Sequence, residues 1–195
     1  MWNWLLKLLQ HPASKPNAEP VPDLPDAPDV LFSRPATWED VIATARLLNQ
    51  YQVRYLLVGG YALAAHGYVR MTEDIDIAVA PEPENSRRWV LALSELPDGA
   101  ARELLQEIDP FDGDYLHAIR INDAITVDVM PSVAGVAFSE LERHAETMLL
   151  DEVPVPVLGL QGLLKTKQGL RPKDQADAVV LQRAINAMMK NANER

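Results

Sequence analysis

The stretch from Val58 to Ala80, VGGYALAAHGYVRMTEDIDIAVA, sets Asp74 and Asp76 one residue apart in what otherwise reads as a buried strand. In an extended chain, residues i and i+2 face the same side. Ile75, Ile77 and Val79 therefore take the core face, and Asp74 and Asp76 share the other, their Cα atoms roughly 7 Å apart. Two carboxylates this close raise each other's pKa unless a cation intervenes. Whatever fold the chain adopts must bring positive charge to that face.

The segment ITVDVM repeats the pattern, with Ile125, Val127 and Val129 on one face and Asp128 on the opposite one. If the two strands are neighbours, three carboxylates converge on one patch. Such a patch would accept a pair of Mg²⁺ (or Mn²⁺) ions, because hard cations take oxygen ligands and keep positions for substrate phosphate. Each piece also has a plain structural explanation: a solvent-facing strand edge for Asp-x-Asp, a hairpin surface for Asp128. Gly59-Gly60 sits between a short apolar strand and a helix. A glycine pair there either lets backbone N–H groups approach a phosphate or makes a tight turn needing positive φ.

The chain has 195 residues, 48% of them apolar and 24% charged, which fits one ordinary globular core. It has no cysteine, so it has no disulfide framework and no thiolate metal site, and a cytoplasmic location is expected. No apolar run is long enough for a membrane-spanning helix. The net charge of −10 argues against broad, non-specific nucleic-acid binding. The charge is uneven: residues 160–195 hold 7 Lys/Arg against 3 Asp/Glu, which leaves a basic region able to meet a phosphate-bearing ligand.

Trp2, Leu5, Leu6 and Leu9 form a short apolar helical stripe without the basic flank or cleavage site of a signal peptide. Seven prolines between His11 and Pro35 then predict an extended linker. The N-terminal part, 1–36, is thus an amphipathic helix on a Pro-rich tether, available to pack on its own domain, on a partner, on a second copy or, with Lys7 a poor basic face, on a membrane surface. An α/β core is expected over 37–158 and a helical C-terminal part over 159–195. Thr37-Trp38-Glu39-Asp40 resembles a capping box at the start of the core. Strands are predicted over Arg54–Val58 and Glu73–Val79, helices from Tyr61 and over Glu82–Leu96, and a hairpin over His117–Met130 turning near Asn122-Asp123. Val153–Val157, with Pro154 and Pro156, reads as an edge strand. Helices follow over about Leu160–Gln168 and Pro172–Met189.

Gly-Gly, the intervening residues 61–73, then Asp-Ile-Asp resembles the signature of the DNA-polymerase-beta-type nucleotidyltransferase superfamily, with Ile-Thr-Val-Asp-Val supplying its third carboxylate. The segment LLKTKQGLRPKDQADAVVL, Leu163 to Leu181, is similar to the Lys…Arg-x-Lys-Asp-x-x-Asp pattern of the AbiEii-like branch found in type IV toxin–antitoxin systems. The resemblance covers about Thr37 to Met189. It implies a nucleotidyltransferase fold, a small mixed sheet flanked by helices. It implies metal ligation by Asp74, Asp76 and Asp128, with Asp128 helping to deprotonate the acceptor. Gly59 and Gly60 would cradle the β- and γ-phosphates of an NTP, and Lys167, Arg171 and Lys173 would contact phosphate.

Read without the family, Lys167 lies on the apolar stripe of its helix with Leu160, Leu163 and Leu164, a position almost never fully buried unless paired. Its partner would be the carboxylate patch or a bound triphosphate; otherwise it reaches solvent near the helix end. Asp174 either favours its helix dipole or orients Lys167 or Arg171. Arg70 and Thr72 are further candidate nucleotide contacts, though Thr72 could simply shape the start of the strand. The histidines at 11, 66, 117 and 144 show no ligand spacing, and there is no Gly-Lys-Ser/Thr phosphate loop. Three functions compete: a Mg²⁺-dependent transfer of NMP to an RNA end such as tRNA, a partner protein or a small molecule; nucleotide or metal binding without catalysis; and an interaction protein built around the N-terminal helix.

Overall fold

Helix α1 (Trp38–Gln50) begins where two side chains close a reciprocal cap. Thr37 Oγ1 accepts the Asp40 N–H, and the Asp40 carboxylate accepts the Thr37 N–H at 2.8 Å, so two backbone donors that a helix start leaves unmatched are both satisfied. Arg34 adds a two-pronged ion pair to Asp40, and with these partners the carboxyl falls to a pKa of about 2. Val41, Ala45 and Leu48 enter the core on the expected spacing, while Trp38 stays partly exposed and meets the Tyr61 ring edge-on. The computed structural model describes residues 33–107, 109–112, 118–169 and 171–193. The expected N-terminal helix and most of its Pro-rich tether lie outside the described residues.

Among the described residues eight strands follow: β1 (Tyr55–Leu57), β2 (Ile75–Val79), β3 (Ile119–Asn122), β4 (Thr126–Met130), β5 (Ser132–Val133), β6 (Val136–Ala137), β7 (Ala145–Leu150) and β8 (Val153–Leu158). Six of them form one mixed sheet in the order β3-β4-β2-β1-β8-β7, flanked by helices, and β5 and β6 form a small separate ribbon. The fold is therefore α/β with a mixed sheet, as the sequence predicts. Helix α2 (Gly59–Ala65) links the antiparallel neighbours β1 and β2. β2 and β4 run parallel, which requires a long crossover. That crossover is α3 (Pro83–Leu93), a 3₁₀ turn (Ala100–Gln106) and the strand β3.

Ile75, Ile77 and Val79 are almost completely buried, as their alternation predicts. Trp89 and Leu93 of α3 pack into the same core as Leu48, Leu56 and Val127. The β3–β4 hairpin turns at Asp123, whose buried carboxylate accepts N–H groups from Asp98, Ala100 and Ala124 at 2.9–3.0 Å. This acid is fully occupied in pinning the crossover to the hairpin.

One expectation is corrected. The strand over Val153–Val157 is not at the edge: β8 lies between β1 and β7, and β7, which the sequence reading leaves out, is the edge. Pro154 and Pro156 alternate with valines, so both missing N–H groups fall on one side of the strand. Pairing with β1 is confined to Leu57 and Val157, and the Pro154 carbonyl accepts from Asn49 Nδ2 at 2.8 Å. Few ladder donors are needed on that side. β7 escapes notice because most of AETMLL is exposed and its alternation is weak.

Helices α4 (Phe138–Leu141), α5 (Leu160–Lys165) and α6 (Pro172–Asn193) complete the chain. α5 packs on α2 and α6. It stops sooner than predicted because the Thr166 and Lys167 N–H groups take up tight i−3 bonds to Leu163 and Leu164, and Thr166 Oγ1 also donates to the Leu163 carbonyl.

Candidate functional site

Strand register alone assembles the centre of the site. Asp76 on β2 is the direct partner of Asp128 on β4, and Asp128 is the direct partner of Arg120 on β3. Arg120, Asp128 and Asp76 thus form one row across three strands, with their side chains on the face opposite Ile75, Ile77, Val127 and Val129. Asp74, just before β2, joins the same face. The three carboxylates expected to converge do so, because β2 and β4 are parallel neighbours in matching register.

Arg120 neutralises part of this cluster. Its Nε donates to Asp128 Oδ1 at 2.8 Å, and its Nη2 donates to Asp128 Oδ2 at 2.8 Å and to Asp74 Oδ2 at 3.0 Å. The two-point contact with Asp128 matches the planar fork of a guanidinium to a carboxylate. The Asp128 hydrogen bond, more than any other influence, holds the Arg120 pKa above its ordinary value. The sequence reading omits Arg120, although a signal was present. A hairpin pairing Ile119 and Ile121 with Val129 and Val127 must set residue 120 opposite residue 128.

Asp76 has no such partner. Burial pushes its carboxyl up to about 6, with Asp128 and then Asp74 adding to the rise, against a Gly60 N–H that donates to it and the charge of Lys167. The glycine pair fits around this side chain. Gly59 takes φ +62°, and a Cβ there would stand 2.0 Å from Asp76 Oδ2. A Cβ on Gly60 would stand 2.6 Å from Thr72 Cβ and Oγ1. In this conformation the pair seats the aspartate and the start of β2. Thr72 turns toward Gly60, with Oγ1 3.4 Å from the Asp74 carbonyl.

Beside Asp76 opens a cleft of about 410 Å³. Seven residues singled out from the sequence line it: Gly59, Arg70, Asp76, Lys167, Arg171, Lys173 and Asp174. Gly60, Thr72, Asp74 and Asp128 are not on its wall. Lys167 is nearly buried there, its Nζ 3.1 Å from both Asp174 Oδ1 and Asp177 Oδ2. Arg70 Nε lies 3.3 Å from the same Asp177 oxygen, at ion-pair distance without hydrogen-bond alignment. Two cations and two carboxylates thus form a network joining α6, the end of α5 and the loop before β2. Lys167 is thus paired with Asp174 and Asp177 and not with the carboxylate cluster, and Asp174 takes the role of orienting it. Arg171 and Lys173 are exposed and, among the described residues, in no ion pair. A larger cleft of about 520 Å³, lined by His66, Arg143, His144, Met188 and Met189 among others, contains none of the carboxylate cluster.

The donor set suits a hard divalent cation: three carboxylates on adjoining positions, one of them buried and without a cationic partner in hydrogen-bond contact. In their present positions no three Asp, Glu, His or Cys side chains among the described residues are set to hold a metal ion, and Arg120 stands between two of the three carboxylates. The donor types fit a metal, although their present positions do not form a ligand cluster.

No family model and no curated relative matches the chain. Among solved structures, a candidate nucleotidyltransferase from Thermotoga maritima is similar to it at 16% identity and a TM-score of 0.46, over 80% of this chain and 92% of that one. The antibiotic-resistance factor ANT(2'')-Ia is similar at 13% identity and TM-score 0.45, over 79% and 93%. An antigenic nucleotidyltransferase-like protein from Paracoccidioides brasiliensis is similar at 16% and 0.46, over 76% and 78%.

Proposed function

We propose that the chain is a metal-dependent nucleotidyltransferase that moves NMP from an NTP to an acceptor hydroxyl. The observation that carries this reading is the register match of Asp76 with Asp128, with Asp74 alongside, where Asp76 itself lines a cleft that also holds Lys167, Arg171 and Lys173. Divalent cations held by Asp74, Asp76 and Asp128 would neutralise charge on the phosphates and on the attacking and leaving oxygens. Arg171 and Lys173, exposed and unmatched by carboxylates, bind the triphosphate. Lys167 is fixed by Asp174 and Asp177 so that its charge stays beside Asp76. Asp128 takes the proton of the acceptor hydroxyl as its oxygen bonds to the α-phosphorus. The bond from that phosphorus to the bridging oxygen breaks, and pyrophosphate leaves.

The acceptor is an RNA end, a partner protein or a small molecule; the basic C-terminal third favours a phosphate-rich one. The Arg-x-Lys-Asp-x-x-Asp start of α6 supports the AbiEii-like branch and with it a toxin–antitoxin role. No helix among the described residues is long and apolar enough to cross a membrane, which is compatible with work in the cytoplasm. A second reading, nucleotide or metal binding without turnover, is favoured by Arg120, which already neutralises Asp74 and Asp128. Incubation with Mg²⁺ and each α-labelled NTP in a lysate, followed by separation of RNA, protein and small molecules, decides between them. Label in one fraction, absent with Asp74→Asn/Asp76→Asn, supports transfer. Binding of Mg²⁺-NTP with no label and no pyrophosphate supports the second reading.

A further inference from the structure

Resting on the proposed metal site, we infer that Arg120 is a positioning residue that also serves as the site's own counter-cation, and that divalent cations enter by displacing it. The geometry makes the two occupants mutually exclusive. The guanidinium engages both oxygens of Asp128 and one of Asp74, the same groups a metal would need. Carboxylate oxygens have lone pairs to spare, but a dication brought beside a guanidinium on the same oxygens meets a like charge at close range. One of the two must leave.

Arg120 is built to be the one that leaves. Its strand, β3, is one of the two edge strands of the sheet, and its side chain is 56% exposed, so the released guanidinium passes into water without being buried elsewhere. Asp128, only 14% exposed, and Asp76 are fixed in the row by their strands and cannot follow it. With the metal absent, Arg120 keeps Asp74 and Asp128 from repelling one another and holds them facing the same point. With metal present, it gives way to stronger charge. The consequence is a site that assembles its ligands in advance yet binds cations less tightly than three bare carboxylates would.

The test is Mn²⁺ binding to the full chain, followed by the loss of the free-ion signal in electron paramagnetic resonance, together with thermal melts with and without Mn²⁺. Wild type is compared with Arg120→Gln and Arg120→Lys. Arg120→Gln should bind Mn²⁺ about tenfold more tightly, the size of effect that removing one nearby, partly screened like charge produces. Its melting temperature should be lower than wild type without metal and should rise further on adding Mn²⁺. Arg120→Lys, which keeps the charge but loses the fork, should lie between. Equal or weaker Mn²⁺ binding by Arg120→Gln overturns the displacement while leaving the metal site standing. If neither wild type nor Arg120→Gln binds Mn²⁺ better than Asp74→Asn/Asp128→Asn, the metal site itself fails and this inference fails with it.

Discussion

Asp76 and Asp128 are register partners in a parallel strand pair, and Arg120 continues their row through an antiparallel one, so three neighbouring backbones set two acids and a base side by side. Strand register fixes this contact, and flexible side chains do not have to find it. Asp128→Asn should therefore leave the fold intact and remove transfer. Activity should fall on the order of 100-fold or more, since loss of even an indirect supporter of a metal costs 10- to 100-fold. Stability should stay within about 1 kcal/mol of wild type, because the ion pair lost is with a half-exposed arginine. Pyrophosphate release and a urea melt measure the two effects separately.

Asp76 carries a stability signature that depends on pH. Its pKa in the fold, about 6, stands above the unfolded value of about 3.9. The folded chain therefore holds the proton more tightly, and the contribution is fully present below about pH 4 and lost as pH rises through 6. In metal-free buffer, wild type should gain about 1.4 kcal/mol from this residue between pH 7.5 and 5. Asp76→Asn should be more stable than wild type at pH 7.5, with the gap closing toward pH 4. Melts across that range check it; a gap that does not change with pH would contradict the assignment.

Gly59 is required for two reasons that can be separated. Gly59→Ala meets both a positive φ and the Asp76 carboxylate at 2.0 Å. Gly135, at φ +80°, has open space where a Cβ would go, so Gly135→Ala feels only the backbone strain. Gly135→Ala should cost about 1 kcal/mol and Gly59→Ala roughly 2–4 kcal/mol, since overpacking adds to the strain. Chemical denaturation of both variants gives the difference, and only Gly59→Ala should also lower activity.

The Lys167 network should behave as a coupled unit. Lys167→Met leaves Asp174 and Asp177 close together, with Arg70 still in ion-pair contact with Asp177, and should cost about 2–3 kcal/mol, toward the lower end for a broken buried pair. Adding Asp177→Leu removes one of the two stranded carboxylates and their mutual repulsion, and should return a good part of that loss. A double-mutant cycle from urea melts reads the coupling, expected at about 1 kcal/mol or more. Strictly additive effects would mean that the ion pairs are incidental.

Much of this architecture could be read along the chain. Alternation in EDIDIAVA and ITVDVM identified two strands and the faces of their carboxylates, because side-chain direction in a strand is a local property. The Thr37–Asp40 cap, the Pro172 helix start and the glycine-paired turn were legible for the same reason: each depends on residues within one turn of chain. The errors came from non-local facts. Pro154 and Pro156 pointed to an edge, yet the sheet needs few donors on that side of β8. Arg120 was passed over because its value lies in the residue across the hairpin.

The sequence by itself thus determined which side chains could share a face, where helices start, and that a cluster of acids needed a cation. Tertiary structure decided which strands are neighbours, that Asp76 meets Asp128, that Arg120 reaches the acids first, and that Asp174 and Asp177 claim Lys167. Local periodicity is written in residue spacing. Strand order and long-range ion pairing depend on how the whole chain buries its apolar faces, and no short segment carries that information.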